Sequence, residues 1–281
     1  MREKMRTAVR DLDPNRSIVF LTGAGISAES GIPTFRGKGG YWTVGSRVYQ
    51  PQEMATRAFF EQNPWEVWRW YLYRRGICGM AAPNIAHHAL VTLERRRKRI
   101  FHLITQNIDG LHTLAGSDPD RTYEVHGNGH QLRCAAECSA ERYAIPDGVA
   151  NKGVDDPMHD AEKALLCCPK CGGLGRPHVL WFDEAYDEAL YRSTTAMAAA
   201  ASASVFITVG TSGATSLPVN AVIEAQAAGA LLIDINPGEN PFQTFAQDQG
   251  GFWLQGSASE WVPFLAEILG HAGGLGSGEA K

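Results

Sequence analysis

Two close pairs of cysteines, Cys134-x3-Cys138 and Cys168-x2-Cys171, carry the strongest chemical signal in this chain. Four thiolates so arranged can complete a tetrahedral zinc shell, and a shell made only of thiolates leaves no position open for water. Such a zinc is structural. The bland alternative, a set of buried free thiols, is disfavoured by the paired spacing. Five of the six cysteines fall in this segment, Cys78 standing apart. Residues 1–16 are too charged to hold the apolar stretch of a signal peptide. Metal ligation therefore outweighs a disulfide framework, and a cytoplasmic protein is expected. Cys167, beside Cys168, is a spare candidate.

A second set of residues suits a nucleotide. Gly23, Gly25 and Ala28 fit G-x-G-x-x-A directly after the apolar run Ser17–Thr22. Glycines there permit a tight turn and let backbone N–H groups approach a pyrophosphate. The acidic residue expected about 20 positions on is missing. In its place stands Ser30-Gly31-Ile32-Pro33-Thr34-Phe35-Arg36, so the dinucleotide site would be atypical. His126, in Glu124-Val125-His126-Gly127-Asn128, lies between the polar loop Gln106–Gly110 and the cysteine segment. An imidazole there could act as a general base near neutral pH. A lone histidine is more often a packing or surface residue, and His112 and His178 have similar, weaker claims.

Tyr71 and Arg74 stand at i and i+3 of an aromatic–basic helical pattern and so share a face. Pointed into a pocket, a phenol and a guanidinium would together bind a small carboxylate. By pattern alone the helix is an amphipathic one whose aromatics pack and whose arginines face water.

These groups need elements to hold them. Short apolar runs at Ser17–Thr22, Ile100–Thr105, Ser204–Val209 and Ala230–Ile235 each end in a polar or glycine-containing loop. With helical stretches between them they predict an α/β fold, a parallel sheet with helices on both faces. Ligands bind such sheets at the loops beyond the strands' C-terminal ends. A large sheet domain is expected from residues 1–38, 100–131 and 173–270. An inserted small helical and zinc-binding domain is expected from residues 39–99 and 132–172, and a disordered, glycine-rich tail from 271–281.

Composition closes off other classes. Apolar residues make up 44% of the 281 and charged residues 20%, which excludes wholesale disorder. A net charge of −4 excludes a protein built around a basic nucleic-acid surface. The run Arg95–Arg99 reads as the solvated end of a helix, where cations suit the helix dipole. Ser193–Ile223 is uncharged but interrupted by Ser, Thr, Gly and Pro, so no membrane span is expected. Neither nucleic acid nor membrane is expected as a partner.

Several stretches occur together in a telling order. They are Gly23-Ala24-Gly25-Ile26-Ser27 through Ile32-Pro33-Thr34-Phe35-Arg36, Thr105-Gln106-Asn107-Ile108-Asp109-Gly110-Leu111-His112, Val125-His126-Gly127, the two cysteine pairs, Arg176-Pro177-His178-Val179-Leu180-Trp181-Phe182, Gly210-Thr211-Ser212 and Ile235-Asn236. In these the chain resembles the sirtuins, the NAD-dependent protein lysine deacylases. The resemblance covers roughly residues 15 to 265.

The resemblance implies a Rossmann-like domain and a small domain whose zinc is held by Cys134, Cys138, Cys168 and Cys171. NAD and an acylated protein lysine would meet in the cleft between them. Gly23, Ala24, Gly25 and Ser212 would hold the NAD phosphates and the neighbouring ribose, with Ser27, Gly210 and Thr211 in the same cofactor-binding stretches. Asn236 would contact the adenosine side, and Phe35 and Arg36 would line a mobile cofactor loop. Gln106, Asn107, Ile108 and Asp109 would form the ribose and nicotinamide pocket, and His126 becomes the general base. NAD would be consumed as co-substrate, giving free lysine, nicotinamide and an O-acyl-ADP-ribose. Tyr71-x-x-Arg74 matches the pair of the subgroup that removes succinyl and malonyl groups, which implies activity on acidic acyl-lysines alongside deacetylation.

Two departures fall on the peptide side. Asp183 stands where the family usually has Gly before Glu184, and the loop Gly213–Pro218 is more polar than usual. They keep open a sirtuin-fold NAD hydrolase or ADP-ribosyltransferase, and a non-catalytic NAD-sensing module is a third class. The joint presence of Asn107, Asp109 and His126 counts against the last.

Overall fold

The computed structural model describes residues 1–34, 54–153 and 155–271, together with the backbone of two short strands. Strand β1 (Ser17–Thr22) is buried along its whole length because its side chains alternate between two covered faces. Ile18 and Phe20 enter a core shared with Met5 and Val9 of helix Arg2–Arg10, helix Ile85–Arg96 and the last helix, Ala258–His271. Val19 and Leu21 enter a second core with helices Ser193–Ala201, Ser216–Ala227 and Pro241–Asp248. The antiparallel pair β2 (Thr43–Val44) and β3 (Arg47–Val48) follows.

Six parallel strands form the main sheet. Their order is β11 (Phe252–Gln255), β10 (Leu231–Asn236), β9 (Ala203–Val209), β1, β4 (Phe101–Thr105) and β5 (Thr122–Glu124). The chain lays β4 and β5 on one side of β1, then returns to lay β9, β10 and β11 on the other. Strand order thus reverses between β1 and β9, and at such a switch point the loops part and open a crevice. All four apolar runs of the sequence are strands here. β5 and β11 have no counterpart among them, being too short for a period to register.

A smaller antiparallel sheet, ordered β7 (Arg142–Ala144), β6 (Gly127–Cys134) and β8 (Gly175–Val179), is covered by helices Arg57–Gln62 and Pro64–Met80. Its core gathers Trp68, Trp70, Leu132, Leu166 and Trp181. The Trp68 indole N–H donates to the Gly175 carbonyl at 2.9 Å.

The structure divides the segments differently from the expected boundaries. Helix Ile85–Arg96, expected in the small domain, lies on the large sheet, because Ala86, Leu90 and Leu93 share the core of Phe101 and Leu265. β8, expected in the large domain, pairs with β6. Arg95 and Arg96 close their helix exposed to solvent. Ser193–Ile223 resolves into helix, strand, loop and helix, and no described helix is long and apolar enough to cross a membrane. The expected tail beyond His271 lies outside the described residues.

Candidate active site

A cavity of about 800 Å3 opens at the switch point, between the loops after β1, β4, β9 and β10 and the small module. Gly23, Ala24, Gly25, Gln106, Asn107, Ile108, His126, Gly210, Thr211, Ser212 and Asn236 all line it, as does Tyr71. Ser27 and Asp109 lie buried beneath the surface of the cavity. Phe35 and Arg36 lie outside the described residues.

The glycines answer first to each other. A Cβ on Gly25 would sit 2.5 Å from the Gly210 Cα, and one on Gly23 would sit 2.8 Å from the Gly210 carbonyl oxygen. The loops after β1 and β9 therefore touch backbone to backbone, with Gly25 N–H donating to Gly210 O at 2.9 Å. Gly210 itself adopts φ +58, open to glycine at little cost. Where a helix was expected after the first loop, Ala24–Ser30 forms a 3-10 helix ended by Gly31 at φ 87. The close approach brings the two loops into one wall of the cavity.

Behind that wall runs a ladder of hydrogen bonds. Gln106 Nε2 donates to Thr211 Oγ1 at 2.8 Å, and Asn236 Nδ2 donates to the Thr211 carbonyl at 2.8 Å. Three strand ends are thereby tied through Thr211. Asn107 Nδ2 donates to the Gly23 carbonyl at 3.1 Å and to Ser27 Oγ at 3.2 Å. Ser27 in turn donates to Asp109 Oδ2 at 2.7 Å, and the Leu111 amide to Asp109 Oδ1 at 2.9 Å. Burial raises the Asp109 pKa above the ordinary carboxylate value, opposed by these donors.

His126 sits where β5 of the large sheet passes into β6 of the small one. Gly127 makes that passage possible: its φ is +86, and a Cβ there would strike the His178 carbonyl oxygen at 2.1 Å. His126 Nδ1 lies 3.1 Å from the Gln106 carbonyl oxygen. A carbonyl only accepts, so Nδ1 carries the proton and Nε2 keeps its lone pair. The Tyr186 hydroxyl donates to that lone pair at 3.0 Å. Burial pushes the His126 pKa down to about 4, which leaves the imidazole neutral at pH 7 and in the form a general base requires. His112 and His178, the weaker candidates, are buried and held neutral as well. His112 bonds Thr22 Oγ1 at 3.0 Å, and His178 stacks on Tyr191, so both serve packing.

On the module side, Tyr71 and Arg74 are both buried in helix Pro64–Met80, so Arg74 does not face water. Tyr71 Oη accepts from the Trp181 indole N–H at 3.0 Å, and burial raises the Tyr71 pKa. Arg74 borders a small adjoining cavity whose walls include Tyr71 and Ile108. Asp183 has a structural task that its sequence position hides. Its carboxylate accepts from the Arg57 amide at 2.8 Å and the Ala58 amide at 3.2 Å, so it caps helix Arg57–Gln62. Sequence reasoning missed Tyr186, and it named Trp181 and Asp183 without the contacts they make. Each acts on a partner more than 50 residues away in the chain, and no local spacing marks such pairs.

The four cysteines converge. Cys134 and Cys171 place their sulfurs 3.6 Å apart, as do Cys138 and Cys168, and all four lie within 4.8 Å of one another. Sulfurs about 2.3 Å from a tetrahedral zinc would be about 3.8 Å apart. The residues present therefore fit one structural zinc. Glu137, at φ 54, lies just before Cys138, and Gly172, at φ 72, lies just after Cys171, where its amide donates to the Cys168 carbonyl at 2.9 Å and closes the second turn. Cys167 is not part of the cluster; its backbone bridges Leu174.

Comparison with known proteins agrees with this geometry. The Sir2 family model matches residues 23–216. An NAD-dependent protein deacylase of Aquifex aeolicus (strain VF5) is 43% identical, over 83% of this chain and 88% of its own. NAD-dependent protein deacylase 1 of Pseudomonas aeruginosa (strain ATCC 15692 / DSM 22644 / CIP 104116 / JCM 14847 / LMG 12228 / 1C / PRS 101 / PAO1) is 40% identical, over 93% and 97%. A Sir2 homolog solved as an NAD complex has TM-score 0.76 at 34% identity, covering 95% of this chain and 93% of that one. Sir2Tm bound to a propionylated peptide has TM-score 0.71 at 27% identity, covering 94% and 97%. The family model spans more than half of the sequence, and both relatives are at least 40% identical over at least 83% of it: the chain belongs to the Sir2 family.

Proposed function

We infer that, within the NAD-dependent protein deacylase activity of its family, this chain acts preferentially on lysines whose acyl group ends in a carboxylate, succinyl or malonyl. The observation that carries this preference is the pairing of Tyr71, on the wall of the main cavity, with Arg74, on the small cavity sharing Tyr71 and Ile108 as walls. A guanidinium kept from bulk water beside a substrate channel suits an anion reaching the channel's end, because charge-assisted hydrogen bonds strengthen where water is excluded.

The remaining residues take roles from their positions. Gly23, Ala24, Gly25 and Ser212 border the space for the NAD phosphates, and Asn236 the adenosine side. Gln106, Asn107, Ile108 and Asp109 shape the ribose and nicotinamide pocket. Bound NAD supplies the ribose to which the acyl group passes. His126 takes a ribose hydroxyl proton at Nε2 while Nδ1–H, held by the Gln106 carbonyl, stabilises the resulting imidazolium. The zinc cluster stays outside the cavity and holds the module that presents Tyr71 and Trp181.

The test is mass spectrometry of paired succinyl-lysine and acetyl-lysine peptides incubated with the protein, with and without NAD. NAD-dependent loss of the succinyl mark ahead of the acetyl mark is expected. Arg74→Met should lower desuccinylation by about ten-fold or more, in keeping with a charged hydrogen bond, and deacetylation far less. Equal losses on both peptides would sink the preference.

A further inference from the structure

The Tyr186 hydroxyl and the His126 Nε2 lone pair meet at 3.0 Å, and both side chains line the main cavity. That lone pair is the one a ribose hydroxyl must reach. The phenol thus stands in the place of the substrate's own hydroxyl. We propose that Tyr186 is a positioning residue that holds His126 in its reactive tautomer and orientation while the site is empty, then yields Nε2 when NAD arrives.

The surroundings let the side chain move while the backbone stays. On one side of Tyr186, Asp183 caps helix Arg57–Gln62 and Glu184 is bound by Arg176 and accepts from the Trp181 amide at 3.0 Å. On the other, Asp187 caps the next helix, accepting from the Leu190 amide at 2.8 Å. Both flanks of the main chain are anchored, so the phenol leaves by a rotamer change and no loop has to open. The Thr215 hydroxyl and Leu217 amide, at the start of helix Ser216–Ala227, lie beside the phenol oxygen.

Burial holds the His126 pKa down against the Gln106 carbonyl, which raises it, and a donor to Nε2 favours the neutral imidazole in the same sense as burial. The groups facing His126 itself, the Gln106 carbonyl and Tyr186, carry no charge. On β5, Glu124 bonds Asn128, with burial raising its pKa to about 7. On the Tyr186 segment, Glu184 is matched by Arg176 and Arg133. Across the cavity Glu29 accepts from the Ser259 amide, and Glu239 lies near Asn236 on the adenosine side. None of these charges changes in a Tyr186→Phe protein, so the difference from wild type isolates the phenol's hydroxyl.

The inference rests on His126 being the base, which a His126→Ala protein tests separately: retained deacylation would sink that role and this inference with it. With His126→Ala inactive, the informative protein is Tyr186→Phe, which keeps the ring. The His126 pKa of the free protein, read by NMR of its imidazole nitrogens, should rise by about half to one pH unit. The acid limb of kcat/KM for NAD, which reports the free enzyme, should rise with it while the acid limb of kcat stays in place. KM for NAD should fall by about two- to ten-fold, since no hydroxyl competes for Nε2. An unmoved His126 pKa, or an unchanged KM with a lower kcat, would overturn the proposal and reduce Tyr186 to packing.

Discussion

The two walls of the cavity are held together by opposite means. The sheet-side wall is held by close backbone contact and uncharged donors: glycine backbones in contact, then hydrogen bonds among Thr211, Gln106, Asn236, Asn107 and Ser27. Asp109 is its buried carboxylate, and it is met by hydroxyl and amide donors. The module-side wall is ionic. Arg176 grips Glu184 with both terminal nitrogens, lies 3.4 Å from the Trp181 ring centroid, and is joined by Arg133. Below it the cysteine cluster does what a large core does elsewhere. A large sheet can bury enough apolar surface to fix its loops, whereas a small module needs cross-links of metal and charge.

That contrast can be broken at four points. The largest effect is expected from removing zinc. Chelation, or Cys168→Ser, should unfold the module and abolish deacylation, because a structural zinc contributes about 10 kcal/mol or more to the fold it closes. Tryptophan fluorescence should report it, since Trp68, Trp70 and Trp181 share the module core, while far-UV circular dichroism keeps the signal of the main sheet. Loss of both signals together would mean that the walls do not fold separately.

Next comes the ion pair. Arg176→Met leaves Glu184 without its main partner and should lower stability by about 3–5 kcal/mol. Adding Glu184→Gln should recover part of the loss in thermal unfolding, because the buried charge is then gone. If the single variant is as stable as wild type, the module wall is not ionic in any energetic sense.

On the sheet side, Gly25→Ala should cost about 1–3 kcal/mol by pressing its new methyl group against the Gly210 backbone. Weaker NAD binding should accompany it, measured by calorimetry, with module fluorescence unaffected. The smallest effect is expected from Asp183→Ala. Losing a helix cap costs about 1 kcal/mol, and KM for the acylated peptide should rise more than KM for NAD. A change in NAD affinity alone would mean that Asp183 serves the other wall.

Legibility follows the same divide. The sheet-side residues were readable because each sits in a loop directly after an apolar strand run, where function and local pattern coincide. Their glycines were read as room for a pyrophosphate, yet the nearest demand on them is the other loop. On the module side the cysteine pairs were legible from spacing alone. Asp183 was not: as a departure from a motif it suggested a changed peptide site, and it turns out to cap a helix that begins 126 residues earlier. Arg74 was legible as sharing a helix face with Tyr71, but the pattern that put arginines in water could not foresee its burial.

The sequence by itself determined the parallel sheet, the cysteine cluster and the identity of the polar groups beyond each strand, since these depend on periods and spacings of a few residues. Only the tertiary structure decided which loops touch and which protein groups meet each histidine nitrogen. It also decided that Tyr186 faces the lone pair of His126. Such contacts join residues far apart in the chain, and their distances are set by how sheet and module pack, which no local pattern encodes.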